Sequence, residues 1–339
     1  MPDIYEYDPA TFYRLKPELV LSHRTDDFDV TIRTDSHGWR SDHEISRTKP
    51  PGVSRVLFLG DSITFGWGVE EAESFPSLAA AKLTHAGVRG VEVINLAVPS
   101  FSSCASTARF KLEGLKLKPD VACAVIVLAN DFGENGRHHL YRRSPFFSRF
   151  GPQVLKTGLW ARQLMISAVS GFNKTVPESL ELNFLPYNGA LLATGLFHAL
   201  SLKVPERSVM RKIENQLSLA CADDFYRSAT AAGIEPFLII ADTEIRQPEQ
   251  EAGPSDTISD REALIVRHFR ERGMHYANLS DELRRRYPAM GGLPNFRNDS
   301  HLTKEGHRLL AEALIGSSAW ARMAAHLRTV SGAAAPPAR

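Results

Sequence analysis

Arg55-Val-Leu-Phe-Leu-Gly-Asp-Ser-Ile-Thr-Phe-Gly-Trp-Gly-Val69 is the stretch that decides the fold. Val56, Leu57, Phe58 and Leu59 form an unbroken apolar run, as expected of a strand buried on both faces of a parallel sheet, and the run stops at Gly60-Asp61-Ser62. Open α/β sheets bind ligands in the crevice outside the carboxyl ends of their strands, so Ser62 stands where a nucleophile would stand. Glycine, aspartate and serine are also turn formers, and the tripeptide alone reads equally well as a plain turn. Gly60 to Gly68 lacks the Gly-Lys-Ser/Thr ending of a phosphate loop, and it is not a Gly-x-Ser-x-Gly elbow.

Downstream, strands and helices alternate. Phe75 to His85 carries an apolar stripe at positions 75, 78, 79 and 83 and predicts a crossover helix, followed by a strand over Val91 to Asn95 and a loop reaching Ser100. Arg109 to Leu117 reads as a helix and Val121 to Leu128 as a central strand. A helix over Ile213 to Ala232, a strand over Glu235 to Ala241, a helix over Asp260 to Gly273, a strand over Met274 to Leu279 and a helix over Thr303 to Leu314 complete the series. Five strands alternating with helices imply an α/β architecture: a central parallel five-stranded sheet with helices on both faces.

The rest of the chain departs from that rhythm. Residues 1–50 read as an N-terminal extension packed on a core domain at 51–330; Phe28 to Arg33 alternates like a half-exposed strand. Asp35-Ser-His-Gly-Trp-Arg40 reads either as a hairpin against the sheet edge or as a substrate contact. Residues 133–205 break the α/β period and read as an inserted helical segment. Its helical candidates, Leu159 to Phe172 and Gly189 to Leu202, are expected to pack on the sheet rather than face lipid. Residues 331–339 are expected to be a disordered tail.

Composition narrows the function. A formal net charge of +1 over 339 residues gives no electrostatic reason for a nucleic-acid or anionic-membrane partner. Cys104, Cys123 and Cys221 are odd in number and widely spaced, so no disulfide framework is expected, and Cys123 lies in an apolar run. The N-terminus has no basic and apolar regions of a secretory signal and no run is long enough to span a membrane, so the expectation is a cytoplasmic protein. No His, Cys or carboxylate spacing indicates a metal, and no cofactor is expected.

Four segments together resemble the sequence blocks of the GDSL, or SGNH, hydrolases: Gly60-Asp61-Ser62, the loop Asn95 to Ser100, Ala129-Asn130-Asp131, and Phe296 to His307. Asp35 to Arg40 also resembles an Asn/Asp-x-x-Gly-x-Arg segment that precedes the first block in many bacterial relatives. The resemblance implies a three-layer, flavodoxin-like fold and a serine ester hydrolase with an acyl-enzyme intermediate. Ser62 would be the nucleophile and His301 the base. The family commonly places its aspartate three residues before the histidine; that position is Asn298 here, and the carboxylate is Asp299, the preferred orienting acid. The oxyanion would be met by the backbone N–H groups of Ser62 and Ser100 and by the Asn130 amide, with Asp61 and Asn298 in support.

Two blocks depart from the family pattern: Leu128 stands for a glycine before Asn130, and Ser100 for the second-block glycine. A backbone donor survives that change to serine unless the position needs positive φ, where a side chain is strained. His307 reads as a packing or capping histidine. The implied substrate is a small-molecule or glycan ester, an O-acyl (short, acetyl-like) group on a carbohydrate, lipid or secondary metabolite. An O-acyltransferase using the same residues and a catalytically silent binding protein are the alternatives.

Overall fold

Two antiparallel hairpins precede the main sheet: β1 (Tyr5–Asp8) pairs with β2 (Phe12–Leu15), and β3 (Val20–Arg24) with β4 (Asp29–Arg33). The computed structural model describes residues 4–136, 207–242 and 258–332. In β4 the expected alternation holds, with Val30 and Ile32 buried and Asp29 and Arg33 exposed. These inward residues join Ile4, Tyr5, Tyr13 and Leu15 in an apolar cluster with Phe65, Trp67, Val98 and Phe101 of the main domain.

The main sheet contains β5 (Ser54–Leu59), β6 (Val91–Asn95), β7 (Val121–Val127), β8 (Glu235–Ala241) and β9 (Tyr276–Asn278). All neighbours are parallel, in the order β6-β5-β7-β8-β9, as the alternation of elements predicts. Strand order reverses at β5, whose flanking partners are the next two strands in sequence. Open α/β sheets bind ligands at such a switch point, and Ser62 follows the carboxyl end of β5 there.

Successive side chains of a strand point to opposite faces, and each face has its own helices. Val56, Phe58, Cys123 and Val125 pack with α2 (Phe75–His85), α6 (Leu279–Arg286), α7 (Lys304–Ile315) and α8 (Ser318–Val330). Leu57, Leu59, Ala122 and Ala124 pack with α3 (Ser103–Leu112), α4 (Arg207–Ala231) and α5 (Ile258–Glu271). Each fully buried aliphatic or aromatic side chain in these layers contributes about 1.5–3 kcal/mol relative to exposure.

Several boundaries move. The helix expected over Arg109 to Leu117 begins at Ser103, because Ser102 caps its N-terminus by accepting from Ala105 N–H, and its end tightens into a 3-10 turn, Gly114–Leu117. Helices α6 and α8 are additional. The candidates Leu159 to Phe172 and Gly189 to Leu202, and residues 333–339, lie outside the described residues. The cysteine expectation is corrected: Cys104 on α3 and Cys221 on α4 form a disulfide across a sequence separation of 117 residues, their Cα atoms 5.1 Å apart. Linear spacing could not show it, because the two cysteines meet only when α3 and α4 lie side by side. Cys123 is buried, as expected.

Candidate active site

Gly60 ends β5 in a space too small for a side chain, since a Cβ there would meet Thr64 Oγ1 at 2.2 Å. Asp61 then caps the single-turn helix α1 (Ser62–Phe65) by accepting from Ile63 N–H at 3.0 Å. Gly66 closes the turn at φ +81°, its N–H reaching Ser62 O at 3.0 Å. Ser62 is thereby held just past the carboxyl end of β5.

His301 arrives from the segment between α6 and α7. Its Nε2 lies 2.8 Å from Ser62 Oγ, and its Nδ1 is hydrogen-bonded to Asp299 Oδ1. The same carboxylate oxygen accepts the His301 backbone N–H at 2.9 Å. Burial raises the Asp299 carboxyl, but the hydrogen bonds and charge of His301 outweigh it and hold the group below the ordinary carboxylate range. An ionised carboxylate only accepts, so the ring proton belongs on Nδ1 and the Nε2 lone pair faces the serine hydroxyl.

Asn298 is elsewhere: it is exposed, and its backbone N–H and side-chain amide donate to Asp27 at 2.9 and 3.2 Å. Of the two candidates for orienting the imidazole, Asp299 alone touches it. His307 lies on α7, buried, with Nδ1 accepting the Phe75 N–H at 3.3 Å and its ring stacked near Phe75. Burial, with the charge of Arg40 and His301, lowers it to about 3.

On the other side of Ser62, Asn130 Nδ2 donates to Asp61 Oδ2 at 2.7 Å. An amide nitrogen carries two hydrogens, so one remains after this bond orients the side chain. Burial raises the Asp61 carboxyl, with Asn130 and Ile63 N–H only partly opposing it; Asp131 is raised further by burial and by the nearby charge of Asp61. Asp131 accepts Val127 N–H at 2.6 Å and so folds the chain back at the end of β7.

Ser100 lies in the loop after β6 at φ +64°. For a non-glycine residue that left-handed conformation costs about 1–2 kcal/mol. Among the described residues no acceptor meets the backbone N–H of Ser62 or of Ser100.

Sequence reasoning did not assign a role to Arg40 or Trp67. Arg40 is 2 % exposed and donates to Phe65 O, Gly66 O and Val69 O at 2.8, 2.6 and 2.5 Å, clamping the turn after Ser62. It also bridges to Asn95 of β6, so the segment Asp35 to Arg40 packs on the sheet edge as one of its two readings expects. Burial lowers the Arg40 guanidinium to about 10, with Glu71, Glu70 and Asp42 opposing. Trp67, on the clamped turn, packs its ring 5.9 Å from that of His301. The signal for Arg40 was present in the Gly-x-Arg ending of its segment, and that for Trp67 in its place between two glycines of the deciding stretch.

Among the described residues Asp35, His37 and Glu44 could together offer ligand atoms to a metal ion, and none of them belongs to the Ser62 contacts. No helix there is long and apolar enough to cross a membrane.

No family model matches the chain, and no curated protein does. Solved structures with a similar backbone include a protein described as a lipolytic member of the G-D-S-L family from Desulfitobacterium hafniense, at 14% identity and TM-score 0.42, covering 77% of this chain and 97% of that one. An acetylxylan esterase from Geobacillus stearothermophilus aligns at 13% identity and TM-score 0.44, covering 78% and 95%. An α/β hydrolase from the metagenome of Lake Arreo, Spain, aligns at 15% and 0.44, covering 77% and 93%. Likeness of this degree says nothing about side-chain roles, which stand on the geometry above.

Proposed function

We propose that the protein is a serine ester hydrolase of GDSL type, removing a short O-acyl group from a small-molecule or glycan ester. The observation that carries this reading is the chain of contacts from Asp299 through His301 to Ser62 Oγ, with a 2.8 Å approach at the serine. A serine hydroxyl is a weak nucleophile until a base within hydrogen-bond reach takes its proton. Here His301 Nε2 accepts that proton as Ser62 Oγ attacks the ester carbonyl; Asp299 holds the tautomer and stabilises the imidazolium. The tetrahedral oxyanion is met by Ser62 N–H, Ser100 N–H and the second Asn130 amide hydrogen, which Asp61 orients. Collapse expels the alcohol, which takes the proton from His301. A water activated by the same nitrogen then releases the acid from the acyl-enzyme.

The silent-binding alternative draws on the departures at Asn298, Ser100 and Leu128. The contact of Asp299 with the imidazole weighs against the first of these. Ser62 and His301 are each 8 % exposed, which favours a small acyl group. The Cys104–Cys221 disulfide weighs against the cytoplasmic expectation and fits an oxidising compartment.

The test is hydrolysis of p-nitrophenyl acetate. The wild-type protein should turn it over, faster than a long-chain ester, and Ser62→Ala should fall to the uncatalysed background while keeping its circular dichroism spectrum. Wild-type inactivity on short esters, or undiminished turnover by Ser62→Ala, would overturn the reading.

A further inference from the structure

Val98-Pro-Ser-Phe101 is a β-turn closed by Phe101 N–H on Val98 O at 3.0 Å. Proline at its second position and φ +64° at Ser100, its third, make the type II pattern, which ordinarily calls for glycine or asparagine at the third position. A serine there would relax more readily into a type I turn, with negative φ. The two forms differ chiefly in the peptide between Pro99 and Ser100, which is flipped over. In a trans peptide C=O and N–H point opposite ways, so the flip decides where the Ser100 N–H is aimed.

The N-terminal hairpin grips this turn from outside. Tyr13, 3 % exposed on β2, donates its hydroxyl to Ser100 O at 2.6 Å. The hydroxyls of Tyr13 and Tyr5 both lie 3.5 Å from Pro99 O, on the carbonyl side of the peptide that flips. The Tyr13 ring packs edge-on to Phe101 at 5.3 Å and to Tyr5 at 5.1 Å, fixing where its hydroxyl can reach.

We propose that Tyr13 is a positioning residue for the oxyanion site: its hydroxyl holds the Pro99–Ser100 turn in the type II form that aims the Ser100 N–H away from the hairpin. The N-terminal hairpin is then part of the working enzyme rather than a covering. This rests on the ester-hydrolase reading above, and it assigns to a tyrosine and a serine together what glycine supplies by lacking a side chain.

The experiment compares kcat and KM of Tyr13→Phe, Ser100→Gly and the double variant on p-nitrophenyl acetate. Tyr13→Phe keeps the ring and its packing. It should lower kcat about tenfold, less than the loss of a whole oxyanion donor, with KM little changed. Adding Ser100→Gly should restore most of that loss, because glycine holds positive φ without a clamp. A general packing defect would not be repaired by a glycine. Unchanged kcat in Tyr13→Phe, or a double variant as impaired as Tyr13→Phe, overturns the proposal, whereas an inactive wild-type protein overturns the hydrolase reading itself.

Discussion

The segment that carries His301 and the turn that carries Ser100 are held by different means. Around His301 the side chains and backbone agree with one another: Asp299 takes two bonds from His301, Phe296 N–H reaches His301 O at 3.0 Å, Leu302 bridges Asn295, and Thr303 caps α7. Each residue does locally what its type favours. At Ser100 the local preference opposes the observed backbone, and a tyrosine 87 positions earlier counters it. The proposed acid–base arm is therefore held chiefly by its own loop, with Asp27 reaching it only through exposed bonds to Asn298, whereas the proposed oxyanion arm depends on a distant hairpin. A side chain that must titrate is best held by its own loop; a backbone N–H can be aimed by anything that grips its peptide.

The sharpest break in the acid–base arm is at Asp299. Asp299→Asn removes the charge that fixes the His301 tautomer, and kcat for p-nitrophenyl acetate should fall by about four powers of ten, as in the serine-protease triad. Asn298→Ala, which removes only the exposed side-chain bond to Asp27 and keeps the backbone one, should cost a few-fold at most. Equal losses in the two variants would make the two-residue spacing irrelevant and return Asp299 to a structural role.

A smaller effect concerns the anchorage of α7 and is read in stability rather than rate. His307 is neutral in its buried place at about 3, against an ordinary 6.5. In that interval the unfolded chain binds a proton that the folded chain refuses, so the contribution to stability is complete above pH 6.5 and is lost as pH falls toward 3. The slope from one such group is at most about 1.4 kcal/mol per pH unit. His307→Leu should flatten the fall in Tm between pH 6.5 and 4 even though its Tm at pH 7 is lower for want of the Phe75 cap. A slope equal to that of the wild-type protein would place the acid sensitivity elsewhere.

The same contrast explains what could be read from the chain alone. β6 and β8 and the crossover helix α2 have the bounds their apolar patterns predict, because burial on both faces or on one stripe leaves a periodic trace. The grouping of Ser62, His301 and Asp299 was legible because each is a polar side chain that follows or precedes a recognisable element. The φ of Ser100 was legible only as a condition, through the glycine that the resembling family has there, since serine itself carries no mark of the conformation imposed on it. Tyr13 was silent: its partner is a backbone carbonyl, which every residue possesses. The Cys104–Cys221 bond was hidden because it depends on how two helices pack.

The most direct test of the central claim, that His301 and Asp299 activate Ser62, is intact-mass and peptide analysis after brief exposure to a fluorophosphonate. The expected result is a single adduct on Ser62, absent from Ser62→Ala and formed far more slowly in His301→Ala. An adduct on another residue, or labelling of Ser62 at the same rate without the histidine, would contradict it.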